Sequence, residues 1–417
     1  MIFQKKLLVV AVTGALGAGA AGVAFAQASA DGVQISGRLY PEFVVQEASG
    51  ATPAGTSSST LGRAPTGLNL KSRNSVDATN SRIRFSGKES LGRGLTTLWQ
   101  IETTVAIDNT ADAAFLANRD SFVGLRGGFG TVRLGNMTTV FKDLGDPTGI
   151  LGISSGNFVA TSNITSSRTS FTRDGSGSFH LRKANSLMYD TPKFGGFEFH
   201  AQYSPDEARA GNLNADLWSM GVEYKRGPLE LALAHEIHND FFAGSNGLNT
   251  NGGAARALAS ARDGTDGVHS KDTATRATVL YRVGGAVLQA NYGVVEFDES
   301  GAAAGKFKNY ENKRWSMTWE QTWKGTPWRT TAAYGSSSAG SCSISGGAAC
   351  TTNGLAGNML VLAADYSFSK RTALFAAYAK INNGSASVYR NLMNASSSAL
   401  DPGADITTYA FGIRHNF

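Results

Sequence analysis

The chain has 417 residues, of which 17% are charged and 10% aromatic, and its formal net charge is +6. Its 50 glycines are about 12% of the chain, against a usual share of about 7%, and only nine residues are proline. So small a positive excess gives no indication of nucleic-acid binding. After residue 26 no apolar run reaches the roughly 18 residues of a membrane-spanning helix, which excludes a helical membrane protein there.

The first 26 residues differ in character from the rest. Lys5 and Lys6 precede an apolar run rich in Ala and Gly, and residues 24–26 form an A-x-A cleavage sequence. A basic start, a short apolar stretch and a small-residue cleavage site together predict a secretory signal peptide over residues 1–26. The mature chain then begins at Gln27 or a few residues later. The alternative is an uncleaved N-terminal membrane anchor.

From residue 33 onward, apolar residues recur at every second position, which is the period of a β-strand with one apolar face. The apolar faces of the first and last such segments are Val33, Ile35, Leu39 and Phe43, and Tyr409, Phe411, Ile413 and Phe417. Short connections rich in Gly, Pro or Ser alternate with long ones. The long connections cover about 47–79, 109–117, 137–183, 205–215, 240–271, 299–309, 337–357 and 383–404. Seven short and eight long connections predict sixteen strands.

This alternation of connection lengths distinguishes two all-β architectures. A transmembrane barrel has short periplasmic turns, long outer loops and an even number of strands, whereas a soluble sandwich has no reason to separate its loops in this way. A closed barrel also leaves no unpaired backbone edge in lipid. We therefore predict an all-β fold, a 16-stranded antiparallel transmembrane barrel over residues 27–417. The alternative is ordinary sheet packing in a soluble protein.

Sixteen tilted strands enclose a barrel about 30 Å across, too wide for side chains to fill, so the lumen should hold water. An Arg or Lys that faces lipid at mid-membrane costs about 2–4 kcal/mol, so the polar face of each strand should line the lumen. The longest connection, 137–183, is predicted to fold into the barrel as a constriction loop, because loops of this length are usually functional.

The predicted constriction has a basic and an acidic side. Inward positions on the early strands carry the basic candidates Arg38, Arg82, Arg84 and Arg133, and the loop carries the acidic candidates Asp143 and Asp146. We expect water and anions to screen the arginines from one another. A ring of basic side chains favours anions, and an acidic loop opposite it would orient polar solutes.

Cys342 and Cys350 lie close together in a segment rich in Ser, Gly and Ala. In an exported protein such a pair predicts a disulfide, and closing a loop of this size stabilises the fold by roughly 2.5 kcal/mol in the chain-entropy model. A metal pair is the alternative, although no His or third Cys lies nearby in the sequence.

Four segments resemble the trimeric general porins of beta-proteobacterial outer membranes. They are SRIRFSGKESLGRGL at 81–95, NRDSFVGLRGGFGTVRLG at 118–135, the stretch 185–197, and the C-terminal YAFGIRHNF at 409–417. The resemblance implies a homotrimer, a constriction loop after the fifth strand, and facing-wall arginines at Arg38, Arg82 or Arg84, and Arg133. It also implies that Phe417 is the signal read by the barrel-assembly machinery, and that outer-membrane lipid and lipopolysaccharide are partners.

The predicted function is a general diffusion porin that passes small hydrophilic solutes and ions across the outer membrane and prefers anions. A substrate-specific channel for anions or sugars is the nearer alternative, and a structural or adhesin role is the more distant one. A barrel enzyme would need a nucleophile–base constellation. The six histidines are His180, His200, His235, His238, His269 and His415. No H-E-x-x-H or phosphate-loop sequence accompanies them, so we predict no enzymatic activity, no cofactor and no metal site.

Overall fold

The structure is a computed structural model and describes residues 32–56, 59–108, 116–153, 158–166, 170–171, 177–207, 211–251, 253–261, 267–391 and 401–417. The predicted signal peptide, residues 1–26, lies outside the described residues. No helix within these ranges is both long enough and apolar enough to cross a membrane.

The described residues form sixteen barrel strands, three of which are broken into two segments. The broken strands are β1 (Gln34–Leu39 and Glu42–Ser49), β2 (Leu70–Asp77 and Arg82–Gly92) and β13 (Trp328–Ser337 and Ser341–Ile344). The continuous strands are β3 Leu95–Thr104, β4 Ser121–Gly127, β5 Gly130–Thr138, β6 Arg182–Asp190, β7 Phe197–Pro205, β8 Asp216–Arg226, β9 Leu229–Asn239, β10 His269–Val283, β11 Ala286–Ser300, β12 Phe307–Thr322, β14 Gly357–Ser367, β15 Thr372–Asn383 and β16 Asp405–Asn416. The predicted strand number is confirmed.

The sheet closes on itself between the first and the last strand. Neighbouring strands pair antiparallel throughout, and β16 pairs with both segments of β1. Arg38 lies opposite Asn416 at this seam, and the backbone N–H groups of Gly37 and Phe417 donate to each other's carbonyl oxygens at 2.9 and 3.1 Å. Closure matters because an open edge would leave backbone groups without partners in lipid.

Side chains alternate between the two faces of the wall, as predicted. In β10 the inward residues Ser270, Asp272, Ala274, Arg276, Thr278 and Leu280 are buried, whereas Val279 and Tyr281 point outward and are exposed. Large apolar side chains exposed on the outer face include Phe199, Leu233, Tyr292, Met317, Leu362 and Phe411. One period-2 pattern therefore gives both the apolar exterior and the mainly polar lumen.

The connections separate by length between the two ends of the barrel. The turn end carries the short connections 93–94, 128–129, 191–196, 227–228, 284–285, 323–327 and 368–371. The loop end carries 50–69, 105–120, 139–181, 206–215, 240–268, 301–306, 345–356 and 384–404. Connections 50–69, 301–306 and 345–356 are shorter than expected, because the strands that flank them extend further than the sequence pattern indicated.

Within the described residues, four short helices lie in two of the loop-end connections. They are α1 Val140–Gly145 and α2 Ser162–Thr165 in 139–181, and α3 Ala243–Asn251 and α4 Gly253–Ala257 in 240–268. Cys342 and Cys350 form the predicted disulfide, with Cα atoms 5.7 Å apart, and both pack against a buried apolar cluster that includes Leu355.

Loop-end connections that are far apart in the chain also bind one another. Asp401 Oδ2 accepts hydrogen bonds from Thr66 N and Leu68 N at 2.7 and 2.8 Å. Asn251 Nδ2 donates to Leu61 O at 2.9 Å. Connection 50–69 is thus tied to both 384–404 and 240–268, and the loop end is a single interlocked layer.

Candidate functional site

The connection 139–181, here called the inward loop, leaves β5 and enters the barrel as α1. Its first turn donates two backbone hydrogen bonds to inward side chains of the wall. Val140 N donates to Gln202 Oε1 at 3.2 Å, and Phe141 N donates to Ser219 Oγ at 2.8 Å. The first N–H groups of a helix have no partner within it, so these wall side chains fix the start of α1.

Arg276 of β10 fixes the body of the same helix. Its guanidinium donates to the Phe141 carbonyl oxygen and lies 4.3 Å from the centre of the Phe141 ring. The approach requires Gly145, because a Cβ at that position would overlap the guanidinium. Gln289 of β11 donates to Gly145 O at 3.2 Å and accepts from Thr148 N at 3.0 Å. These contacts hold α1 against the wall of β8–β11.

Beyond α1 the inward loop reaches the seam of the barrel. Arg38 of β1 donates to Gly152 O, and Arg414 of β16 donates to Leu151 O at 2.5 Å. Loop residues Ile150, Leu151, Ile153, Phe158, Val159 and Ile164 form one buried cluster with inward residues Tyr40, Val44, Met359, Val361, Phe375, Ile381 and Ile406. The loop therefore lines the lumen along β8–β16 and folds inward as predicted.

The wall of β2–β6, opposite α1, remains open to the lumen. Arg84 of β2, Arg133 of β5 and Asp143 of α1 line one cavity of about 290 Å³, here called the first cavity. A second cavity of about 360 Å³ lies beside α1 and is lined by Asp143, Asp146 and Glu223. The structure thus brings two of the predicted arginines and one predicted aspartate together around open space.

Glu102 of β3 lies at the centre of the basic wall. Its carboxylate accepts hydrogen bonds from Arg84 Nε at 2.7 Å and from Arg119 Nε at 2.6 Å, and it lies 3.6 Å from Arg82 Nη1. The expectation that water and anions screen these arginines is therefore incomplete, because a buried acid on the next strand also does so. One carboxylate among three guanidiniums leaves a positive excess.

Two further aspartates pair with basic side chains of this wall. Asp190 of β6 accepts from the Arg133 guanidinium, and its Oδ1 lies 2.8 Å from His200 Nδ1. Asp120, just before β4, accepts from Arg182 Nε at 2.8 Å. Burial disfavours ionisation of Asp120, but the Arg182 hydrogen bond and charge outweigh it and lower the pKa of the carboxyl.

Two ionisable side chains of the inward loop titrate close to neutral pH. Burial and, to a smaller extent, the charge of Arg182 together lower the pKa of Lys142 to about 8. Burial raises the pKa of Asp146 to about 6, against the opposing effect of Arg276. Asp146 Oδ2 lies 3.7 Å from Nδ1 of the buried His180. Both loop charges therefore depend on how tightly the loop is packed.

The remaining predicted residues lie outside the first cavity. Arg38 is only 6% exposed beneath the inward loop, and Arg82 points to Glu102. The wall charges that the sequence reasoning missed as members of the site are Arg119, Asp120, Arg182 and Asp190. Arg119 and Asp120 come immediately before β4. Their position next to a barrel strand is the feature of the sequence that could have indicated a place at the lumen wall.

The connection 240–268 also folds against the lumen wall, which was not predicted. Ala243 N donates to Asp272 Oδ2 at 3.1 Å, and Ser245 N donates to Glu299 Oε1 at 3.0 Å. Buried carboxylates are stabilised where they face the N-terminus of a helix, here α3. Two connections therefore narrow the loop end of the barrel.

A closed antiparallel barrel with an apolar outer wall, a charged lumen and connections folded into it belongs to the class of outer-membrane β-barrels. The chain matches the Gram-negative porin family over residues 11–386 and belongs to that family. It is therefore a multi-pass β-barrel of the outer membrane.

Curated relatives are similar over part of the chain. The major outer membrane protein P.IB of Neisseria meningitidis (strain H44/76) is 29% identical over 229 residues, which are 51% of this chain and 64% of that protein. The P.IB protein of Neisseria lactamica is 30% identical over 158 residues, or 37% of this chain and 42% of that protein. The chain thus spans about 64% of the length of the first of these relatives.

Solved structures share the fold over almost the whole chain. An anion-selective porin from Comamonas acidovorans superposes with a TM-score of 0.66 at 19% identity, covering 93% of this chain and 100% of that one. OmpT of Vibrio cholerae in a trimer form gives a TM-score of 0.59 at 13% identity, with coverage of 93% and 100%.

Proposed function

We propose that the protein is a general diffusion porin that lets small hydrophilic solutes and ions cross the outer membrane, with a preference for anions. The observation that carries this proposal is the first cavity, where charged side chains of the wall face a charged side chain of the inward loop. A sixteen-stranded barrel is too wide to be filled by wall side chains, so the loop sets the width of the passage.

The charge of the wall supports anion preference. Glu102 is shared among Arg82, Arg84 and Arg119, so this part of the lumen has more positive than negative charge. Basic rings favour anions in water-filled pores. The anion-selective porin from Comamonas acidovorans, which has the same fold, is consistent with this proposal.

Single-channel recording of the purified protein in asymmetric KCl tests both parts of the proposal. We expect an anion-directed reversal potential that Arg84→Ala and Arg133→Ala each reduce. A unit charge about 7 Å from the ion path contributes about 0.6 kcal/mol in water, with opposite sign for anions and cations, so each variant should lower the anion-to-cation permeability ratio by up to about sevenfold, and by less at high salt.

Arg226→Gln is the matched control, because Arg226 ends β8 on the outward face at the turn end. Reversal potentials that stay unchanged in both lumen variants would contradict the assignment of Arg84 and Arg133. A current that saturates with one solute, rather than rising in proportion to concentration, would indicate a substrate-specific channel instead.

We also infer a homotrimer that is exported through removal of residues 1–26 and surrounded by outer-membrane lipid and lipopolysaccharide. The trimer form of OmpT from Vibrio cholerae supports the oligomeric state. Phe417, which directly follows β16, is proposed as the signal for the barrel-assembly machinery. Deletion of Phe417 should lower the outer-membrane yield, and a normal yield of trimer without it would refute this role.

A further inference from the structure

Three side chains with metal-binding groups converge on the inner wall of β7 and β8. Glu198 and His200 are two residues apart in β7 and share its inward face, and Glu223 of β8 lies directly opposite Glu198. One ligand atom of each residue lies within 4.8 Å of the others. We propose that Glu198, His200 and Glu223 bind a divalent transition-metal cation of the Zn²⁺ type in the lumen.

The orientation of His200 is the first argument. Its Nδ1 lies 2.8 Å from Asp190 Oδ1, and an ionised carboxylate can only accept, so Nδ1 carries the proton. In the neutral ring the lone pair is then on Nε2. His200 Nε2 is buried, and it has no hydrogen-bond partner among the described residues. Metal-binding histidines nearly always donate one ring N–H to a carboxylate, a backbone carbonyl or a water while the other nitrogen binds the ion, and His200 has the carboxylate form of this arrangement.

The two glutamates provide the second argument. Like charges directly opposite each other on neighbouring strands repel, and a shared cation removes that repulsion. In the structure Lys193 Nζ lies 3.3 Å from Glu198 Oε2, and Lys225 Nζ lies 2.8 Å from Glu223 Oε2. The lysine side chains are 68% and 47% exposed, so both can rotate away on their flexible stems. The three proposed ligands, by contrast, are more than four-fifths buried.

The ligand types indicate the class of metal. One imidazole and two carboxylates suit Zn²⁺ and its neighbours, whereas Ca²⁺ and Mg²⁺ prefer a shell of oxygen atoms alone. Ligand atoms of one Zn²⁺ ion lie at most about 4.2 Å apart, so rotation of the glutamate side chains completes the set. Three protein ligands leave a fourth position for water or chloride.

The position of the cluster gives the ion an effect on the pore. His200 lines the first cavity together with Arg84, Arg133 and Asp143. A bound cation would add positive charge to the wall that already favours anions. The sequence predicts no metal site, and this proposal departs from that prediction, because Glu223 approaches Glu198 and His200 only through strand pairing.

Direct binding tests the proposal without relying on channel activity. We titrate the purified full-length mature barrel in detergent with ZnCl₂ by calorimetry, and with CoCl₂ by visible absorption. Wild type should bind one ion per chain, and Zn²⁺ should displace Co²⁺ and abolish its absorption bands. His200→Ala and Glu223→Gln should each weaken binding by about tenfold or more.

His235→Ala is the matched control, because His235 faces outward from β9, with its Nδ1 2.8 Å from Thr275 Oγ1. Heat-modifiable electrophoretic mobility confirms that each variant is folded. Equal binding by His200→Ala and His235→Ala would overturn the proposal, as would the absence of binding to folded wild type. Intact Zn²⁺ binding by a barrel that forms no channel would instead refute the porin function alone.

Discussion

At the scale of single residues, Lys142 is the loop charge that responds to alkaline pH. Its pKa in the folded protein is about 8, below the ordinary 10.5, because burial disfavours the ammonium. Raising the pH through this value removes a positive charge beside the basic wall. We therefore expect anion preference to fall with a midpoint near 8, and to be lower and flat in Lys142→Met. Reversal potentials measured across neutral and alkaline pH check this.

The same lowered pKa also affects stability. Anion preference should fall as the pH rises, whereas the stability of the folded protein should increase. Between about 8 and 10.5 the unfolded chain binds more protons at Lys142 than the folded protein does. The free energy of unfolding should therefore rise with pH across this window in wild type, relative to Lys142→Met. An identical pH dependence in both proteins would contradict the buried position of the ammonium.

Arg276 is the residue whose loss should widen the passage. Arg276→Met keeps the length of the side chain but removes the donor to Phe141 O, and a hydrogen bond to a charged group contributes about 1.5–3 kcal/mol. We expect α1 to be less tightly held, with larger and noisier single-channel conductance. Arg226→Gln is again the control, because Arg226 lies on the outward face of β8 at the turn end and does not line the lumen. Equal conductance in the two variants would contradict this role.

At the scale of elements, Gly37 shows how the seam depends on one close approach. A Cβ at Gly37 would overlap the Phe417 ring and the Arg82 carbonyl oxygen. Gly37→Val should therefore separate β1 from β16 and lower the yield of heat-modifiable barrel, as judged by electrophoresis. Gly32→Val is the matched control, because a Cβ at Gly32 has no atom within 4 Å among the described residues. Normal assembly of Gly37→Val would show that the seam tolerates the displacement.

The strands and their order were predictable because lipid and water impose one period on every strand. The breaks within strands were not. Pro41 interrupts β1 because it has no N–H to donate, and its carbonyl oxygen accepts from Ile413 N at 3.1 Å.

The apolar residues on the inner wall of the barrel were also not predicted. The four residues from Met359 to Leu362 are all apolar, a pattern that indicates a strand covered on both faces. Met359 and Val361 point inward and pack against the inward loop.

The residues of the candidate site were partly predictable from the sequence, but the contacts among them were not. Arg84 and Arg133 were found because they occupy inward positions, and Asp143 because it lies in the longest connection. The alternation of faces puts Glu102 on the lumen side of β3, but it does not predict the role of this carboxylate as the shared partner of three arginines. That role depends on the register between strands and on side-chain rotation, neither of which a single sequence specifies.

At the scale of the whole molecule, the closed hydrogen-bond ladder holds the fold and the disulfide contributes little. The chain-entropy model gives roughly 2.5 kcal/mol for a loop of this size, which corresponds to about 3 °C in the melting temperature of a chain this long. Cys342→Ser combined with Cys350→Ser should therefore keep a heat-modifiable barrel, measured by electrophoresis after a temperature series. Complete loss of the barrel would show that the disulfide is needed for assembly.

The interlocked layer at the loop end faces the surroundings of the cell. Asp401 and its donors Thr66 and Leu68 are more than 300 positions apart in the chain, yet they form one surface. Antibodies and phages that recognise this surface therefore meet composite epitopes built from several connections. Linear peptides copied from any one connection would reproduce such epitopes poorly, and an immune serum raised against the intact barrel should lose most of its reactivity once the antigen is boiled.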